Sequence, residues 1–475
     1  MSGATLPPIE SVTGGSHGIE AGYDQMLALA ERYERQAGDF VEMVGLGARV
    51  MADGDLLESS VLSPVSFADA EVQVLDATTG ADGLTVRALG IEADALGVRA
   101  VVAAFGAGDA LSRHATETID HALGRVTAAA LPALLLAGGI TYAWFSTLSP
   151  EEQAALTERL GDDLGLLLHD HPELAQHLVN GGGGLLGSIV PGVGLLDPGD
   201  GPISGATTND AARLMALLLG NDTDYSVTRR DDLDGDGATR EAPRTLEDLV
   251  RQLSATNGLD LTDEGNHGAI QVQQVGQEPR ERYIVYLPGT DDMGPVPASG
   301  DRVRDMETNY QLIGGMDSAY GRGIQQAMVD AGLTGKDVML VGHSQGGMVS
   351  ASLAADPEFT RHFHVQHVVT AGSPTAQVPH LPDSTHALHL ENRGDAVPLL
   401  DGEDNPDQPH RTTVTFDQGG HDVADNHGLR RYADGAAAAD ASTNGSIRDQ
   451  VERMRADGFL GGGPSGPVRT WVISR

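Results

Sequence analysis

A serine hydroxyl is a poor nucleophile at neutral pH until a base takes its proton and N–H groups hold the charge that develops on the substrate. The segment Val338-Met339-Leu340-Val341-Gly342-His343-Ser344-Gln345-Gly346-Gly347-Met348 has the residue types to present such a serine. Four apolar residues predict a short buried strand, and Met348 to Leu353 continues with helical character. Strand, G-x-S-x-G, helix is the context of a nucleophile elbow. A turn that tight leaves no room for side chains two residues before and two after the serine, where Gly342 and Gly346 stand. The N-terminus of the following helix also directs free N–H groups and partial positive charge at the site.

The motif alone is weak in a chain with 62 glycines. Gly14-Gly15-Ser16-His17-Gly18 fits it too, but it follows the Pro-interrupted Thr5-Leu6-Pro7-Pro8-Ile9, where no apolar strand is expected to feed a turn. Ser16 therefore reads as a loop residue and Ser344 as the nucleophile. For the acid, Asp395 falls just past a strand, where ligand-facing residues of an open α/β sheet gather. Its competing reading is a turn aspartate beside Gly394, and Asp401, Asp404 and Asp407 lie deeper in a polar loop. The base must come from 17 histidines. His421 and His427 both follow the strand Arg411 to Phe416, whereas His343 reads as packing under the elbow. His427 is preferred, because Gly428-Leu429-Arg430-Arg431-Tyr432 after it suggests a helical turn with an aromatic, a firm support for a base. The Gly419-Gly420 pair offers the alternative base, His421, less support.

These residues need a scaffold, and strands alternate with helices around them as in a parallel sheet. Strands are expected at Tyr283–Leu287, Val338–Val341, Gln366–Ala371, His386–Leu390 and Arg411–Phe416, with a helix at Ala319–Ala331. Tyr286-Leu287-Pro288-Gly289-Thr290 before the elbow, G-H-S-Q-G-G at it and G-D-A-V-P after it resemble the class 3 (fungal-type) lipase branch of the α/β-hydrolases. The resemblance covers roughly residues 270 to 432. It implies an α/β-hydrolase fold and the chain order Ser, Asp, His. By resemblance, Ser344 matches the nucleophile, Asp395 the acid, and His427 the histidine that precedes a short helix bearing an aromatic. Thr290 matches the residue lending one backbone N–H to the oxyanion hole, and Gln345 supplies the second. Pro288 departs from the arginine more usual in that turn.

The expected division is a helical bundle or hairpin at 1–180, a Gly/Pro-rich linker at 181–206 and the hydrolase domain at 207–475. Tyr23, Met26, Leu27, Ala30, Tyr33, Ala37, Phe40, Val41 and Val44 recur at helical steps, as do Leu84, Ala88, Ile91, Ala95, Val98, Val102 and Phe105. Such stripes read as a packing domain or as a partner-binding or export module. They resemble the helical hairpins of actinobacterial type VII secretion substrates, although neither a W-x-G turn nor a Y-x-x-x-D/E tail motif is present. The uncharged stretch at 126–148 is long enough to contact or span a bilayer, but Pro132, Gly138-Gly139 and many alanines favour a buried helix. Ser149-Pro150-Glu151-Glu152 reads as the capped start of another helix. Asp232 to Gly237 opens like a calcium loop, yet Pro243 occupies the twelfth position, so an acidic turn is favoured over a metal site.

With 30 basic against 68 acidic residues the formal charge is −38, which disfavours nucleic acid and anionic membranes as partners. The absence of cysteine excludes disulfides, thiol catalysis and thiolate metal sites. Met1 to Gly15 lacks the basic start and apolar core of a cleaved signal, so the expected location is cytoplasmic or reached by a leaderless route. The expected activity is two-step acyl transfer on a carboxylic ester, small or lipid, with no metal or organic cofactor. Two alternatives remain: an interaction protein with an inactive hydrolase domain, and a thioesterase or acyltransferase using the same residues. Asp291 to Met316 scatters Met293, Val296, Met306, Leu312 and Ile313 among acids and glycines, a composition suited either to a lid or to a surface excursion.

Overall fold

The computed structural model describes residues 6–79, 83–103 except 93, 97 and 100, then 175, 179, 208–219, 224–234, 239–261, 266–292 and 302–475 except 377, 379 and 465. The chain divides into two compact units, Ile19–Ala115 and the rest.

The unit Ile19–Ala115 contains α1 (Ile19–Met51), α2 (Gly54–Leu62) and α3 (Pro64–Thr79), with further helical residues within 84–103. Among its described residues the buried positions are small: Ala30 and Ala37 on α1, Thr78 on α3, and Gly83, Ala88 and Ala95 beyond it. A Cβ on Gly47 would come within 2.6 Å of the Thr78 methyl, so α1 and α3 approach closely there. Glu34 and Arg99 pair at 3.0 Å. The stripe read from the sequence is only partly covered, since Val41 is 61% exposed. The stretches 126–148, 149–152 and 181–206 lie outside the described residues. Among those described, no helix is long and apolar enough to cross a membrane.

The other unit is built on one mixed sheet. Its strands are β1 (Ile9–Gly14), β2 (Ser226–Arg229), β3 (Thr239–Arg240), β4 (Ala269–Val275), β5 (Arg282–Leu287), β6 (Asp337–His343), β7 (His364–Ala371), β8 (His386–Asn392), β9 (Arg411–Phe416) and β10 (Gly466–Ser474). Their order is β1-β9-β8-β7-β6-β5-β4-β10-β2, with β3 paired to β10. Strands β5 to β9 run parallel, and the flanking pairs are antiparallel. The parallel strands read as apolar runs because helices cover both faces.

The helices are α4 (Thr208–Leu219), α5 (Leu246–Asn257), α6 (Met306–Ile313), α7 (Ala319–Asp330), α8 (Gln345–Ala355), α9 (Pro357–His362), α10 (Val423–His427), α11 (Leu429–Asp440) and α12 (Gly445–Ala456). On one face Leu249, Leu253, Tyr432, Ala436, Ile447 and Val451 of α5, α11 and α12 bury against Tyr286, Val341 and Leu390. On the other, Leu312, Tyr320, Ile324, Val349 and Phe359 of α6 to α9 cover Val285, Leu340 and Val368.

Three sequence expectations change. The helical region does not extend to residue 1: β1 is an edge strand of the sheet, paired with β9 from Ile9 opposite Phe416 to Gly14 opposite Thr412. A strand therefore does precede Ser16, contrary to the sequence reading. It leads into a loop rather than an elbow, and the Ser16 hydroxyl donates to Asp449 at 2.5 Å. Residues 302–316 are not a free excursion, since Val303, Arg304, Asp305, Glu307 and Thr308 are buried, while Met293 and Val296 lie outside the described residues. In the acidic turn, Asp232 pairs with Arg230 at 2.7 Å and Asp234 with Arg229. Residues 235–238 lie outside the described residues.

Candidate active site

Strand β6 ends at His343 and α8 begins at Gln345, leaving Ser344 alone to make the turn. Its backbone sits at φ 53° and ψ −124°, and it is the one non-glycine residue with positive φ among those described. For a residue with a Cβ this conformation is strained, and such strain persists only where the surroundings impose it. The neighbouring glycines show what imposes it. A Cβ on Gly342 would lie 2.2 Å from the Gly346 carbonyl oxygen, and one on Gly346 would lie 1.9 Å from that of Leu287. Both contacts are with backbone, which cannot swing aside. The Ser344 N–H donates to the Ala371 carbonyl at 3.0 Å, tying the turn to the end of β7.

The turn after β5 crosses directly over this serine. A Cβ on Gly289 would stand 2.8 Å from the Ser344 Cβ. The next residue, Thr290, receives a hydrogen bond from Asn309 Nδ2 at 3.2 Å. Asn309 Oδ1 in turn accepts from Gln345 Nε2 at 2.8 Å. The same Gln345 amide donates to the Asp305 carbonyl at 2.8 Å. Asp305 is held by its ion pair with Arg475 at 2.6 Å and caps α6 through Thr308 N–H at 3.1 Å. Thr290 and Gln345 thus share one brace, Asn309, which the sequence reading did not single out. In the first turn of α8 the N–H of Gln345 has no carbonyl four residues back within its helix.

At the far end of β8, the Asp395 carboxylate is buried and faces His427 on α10. His427 Nδ1 donates to Asp395 Oδ2 at 2.7 Å, and the imidazole is 21% exposed. Asp395 Oδ1 accepts the Val397 N–H at 2.9 Å. The Tyr432 hydroxyl donates to Oδ2 at 2.6 Å. Burial, and then the Asp395 charge, push Tyr432 well above its ordinary range, so this phenol keeps its proton. His427 is also held through its main chain: His343 Nε2 donates to its carbonyl at 2.9 Å. The two rings stand 4.5 Å apart. Burial, and then the nearness of His427, hold His343 well below the usual histidine range, so it remains a neutral donor. Asn392 and Asn426 complete the support, with Asn392 Nδ2 donating to the Asn426 carbonyl at 3.1 Å.

The alternatives are placed elsewhere. His421 is exposed, with its backbone N–H donating to Asp425 at 3.2 Å. Asp401 is buried and accepts the Ala376 N–H at 2.7 Å. Asp404 is exposed on the same loop, and Asp407 is half-buried. No group of three or more His, Asp or Glu among the described residues could hold a metal ion.

Residues 318–432 match the PGAP1-like alpha/beta domain. That is a family of α/β-hydrolase type, and the matched stretch runs from the start of α7 through the elbow, Asp395 and His427 to Tyr432. It is consistent with a hydrolase. No curated protein and no solved structure gives a significant match to the chain. The N-terminal unit lies outside the matched residues.

Proposed function

We propose that the chain is a serine hydrolase that cleaves carboxylic esters through an acyl-enzyme, with Ser344, His427 and Asp395 as its triad. The observation that carries this reading is the forced left-handed conformation of Ser344 at the elbow, in a fold that also supplies a histidine whose Nδ1 is engaged by a buried aspartate at 2.7 Å. With Nδ1 donating, Nε2 of His427 is the nitrogen left to accept a proton. In this reading Ser344 Oγ attacks the ester carbonyl carbon as its proton passes to Nε2. The tetrahedral oxyanion receives the N–H groups of Thr290 and Gln345. The C–O bond then breaks, the alcohol leaves with the proton from Nε2, and water repeats the sequence to release the acid. Asp395 keeps the imidazole in the required tautomer and offsets its transient positive charge. The class 3 lipase likeness favours a lipid or other ester as substrate, and the N-terminal helices remain a candidate partner-binding module.

The test is labelling with a fluorophosphonate probe followed by hydrolysis of a 4-nitrophenyl ester. The wild type should carry the adduct on Ser344, and Ser344→Ala should carry none. His427→Ala and Ser344→Ala should each lose on the order of 10⁴–10⁶-fold in kcat, with little further loss in the double mutant. His421→Ala should retain most activity. A folded protein that takes the adduct on Ser16, or not at all, rules out this reading. Equal turnover of the thioester analogue, or acyl transfer to an added alcohol in place of water, would move the assignment to a thioesterase or acyltransferase.

A further inference from the structure

We infer that Tyr432 is a positioning residue of this site, a second donor that shares Asp395 Oδ2 with His427 and sets both the placement and the charge balance of the acid–base pair. The inference rests on the triad reading above. Three donors converge on the Asp395 carboxylate: Val397 N–H on Oδ1 at 2.9 Å, and His427 Nδ1 at 2.7 Å with the Tyr432 hydroxyl at 2.6 Å on Oδ2. The hydroxyl has little freedom to turn away. It accepts the Asn392 N–H at 3.3 Å, and a Cβ on Gly372 would lie 2.8 Å from it and 3.0 Å from Oδ2. The ring is locked between Phe416, at 5.6 Å and edge-on, and the His343–His427 pair. Tyr432 has no exposure to solvent, so bulk water does not compete with its hydroxyl for Oδ2 in the folded protein.

Sequence and fold explain why this contact can control the base. His427 ends α10, and Tyr432 lies in the first turns of α11, five residues on. Base and second donor therefore sit on one short segment. Their common acceptor, Asp395, fixes where that segment docks on the end of β8. Each donor on a buried carboxylate stabilises its charge and lessens its pull on the others. Removing the hydroxyl leaves Oδ2 with His427 alone. The carboxylate then holds the imidazolium more strongly, and the base gives up its proton only at higher pH.

The other titratable groups facing the pair are His343 from β6, Glu391 from β8, and Asp401 and Asp404 acting on Glu391 from the loop beyond it. His343 is held neutral by burial and His427. Burial and the three aspartates Asp401, Asp404 and Asp395 push Glu391 up to about 8. His343 stays neutral and Glu391 stays protonated below pH 7, so neither changes charge across the acid limb, and a shift of that limb reports on the hydroxyl.

The experiment measures kcat and KM against pH for a 4-nitrophenyl ester with the full chain and two replacements at this position. Tyr432→Phe should lower kcat about 10- to 100-fold with KM within about twofold, and should move the acid limb of kcat/KM upward by about half a unit or more. Site-specific 3-fluorotyrosine, with nearly the same shape and a more acidic hydroxyl, should move that limb downward and retain turnover. This second replacement keeps the test available if Tyr432→Phe does not fold. A merely structural role predicts lower activity with an unmoved limb. Ser344→Ala run alongside separates the two levels of argument. If it abolishes turnover while neither Tyr432 replacement moves the limb, this inference falls and the hydrolase reading stands. If Ser344→Ala retains turnover, both fall.

Discussion

His343 donates from its side chain to the main-chain carbonyl of His427 at 2.9 Å, with the two rings 4.5 Å apart. The residue just before Ser344 therefore holds the backbone of His427. Under the proposed mechanism a cationic His343 would oppose the positive charge on His427, and burial keeps His343 neutral. His343→Phe keeps a ring but removes the donor. Its expected outcome is a kcat loss of about 10²-fold, as for a small misplacement of a reacting group, with fluorophosphonate labelling slowed rather than abolished. Stopped-flow acylation would check it, and a rate within about twofold of wild type would assign His343 to packing alone.

Asn309 yields a second prediction, because it joins the side chains of both residues assigned to the oxyanion hole. Asn309→Leu keeps the volume and removes both bonds. Losing one direct oxyanion donor costs about 10²–10³-fold in kcat, and loosening two through their brace should cost about 10- to 100-fold. KM should change little, since the effect belongs to the transition state. A rise in KM with kcat unchanged would mean that Asn309 shapes the substrate pocket instead.

Much of the scaffold was legible locally. The strand Arg411–Phe416 has the bounds read from its residues, and β6 and β7 each extend one to three residues beyond the apolar runs that announced them. Gly342 and Gly346 could be read because a tight elbow excludes Cβ atoms, and the backbone contacts at both positions are the physical form of that rule. What was not legible depends on pairing across long separations. Strand β1 lies some 400 residues from its partner β9, and Pro7-Pro8 beside it argued against a strand at all. Tyr432 and Asn309 are held by a few individual polar bonds, which leave no periodicity in the sequence. An aromatic after His427 was visible, but the hydrogen bond from its hydroxyl to Asp395 was not.

Gly372 offers a test of how tightly Asp395 is held. It sits at φ 62°, and a Cβ there would press on both the Tyr432 hydroxyl and Asp395 Oδ2. Gly372→Ala should lower kcat more than it lowers stability, because the clash falls on the bonds that orient His427. Gly419→Ala, where a Cβ would meet nothing within 4 Å, is the control and should behave as wild type. Equal activity of the two variants would show that the site tolerates displacement of Asp395.

The last prediction concerns pH and has two opposite signs. His343 and His389 are buried and held well below their ordinary range by burial first, and burial lowers His386 to about 4 and also lowers His410. The unfolded chain takes up protons at these histidines below about pH 6.5, while the folded protein does so only at lower pH. Stability is therefore lost as pH falls through that value. The slope is about 1.4 kcal/mol per pH unit for each of His343 and His389, and less for His386 and His410, which water screens. Glu391 works the other way. Its carboxyl ionises near 4.5 when unfolded but only near 8 in the fold, so stability is lost as pH rises across that window, at no more than about 1.4 kcal/mol per unit. Glu391→Gln keeps an acceptor for Asn405, now at 2.6 Å from Glu391 Oε1, and removes the charge. The variant should match the wild-type melting temperature near pH 4.5 and exceed it by several degrees at pH 8. Melting curves at the two pH values decide the matter. A difference that is the same at both would mean that Glu391 contributes through packing and not through its buried proton.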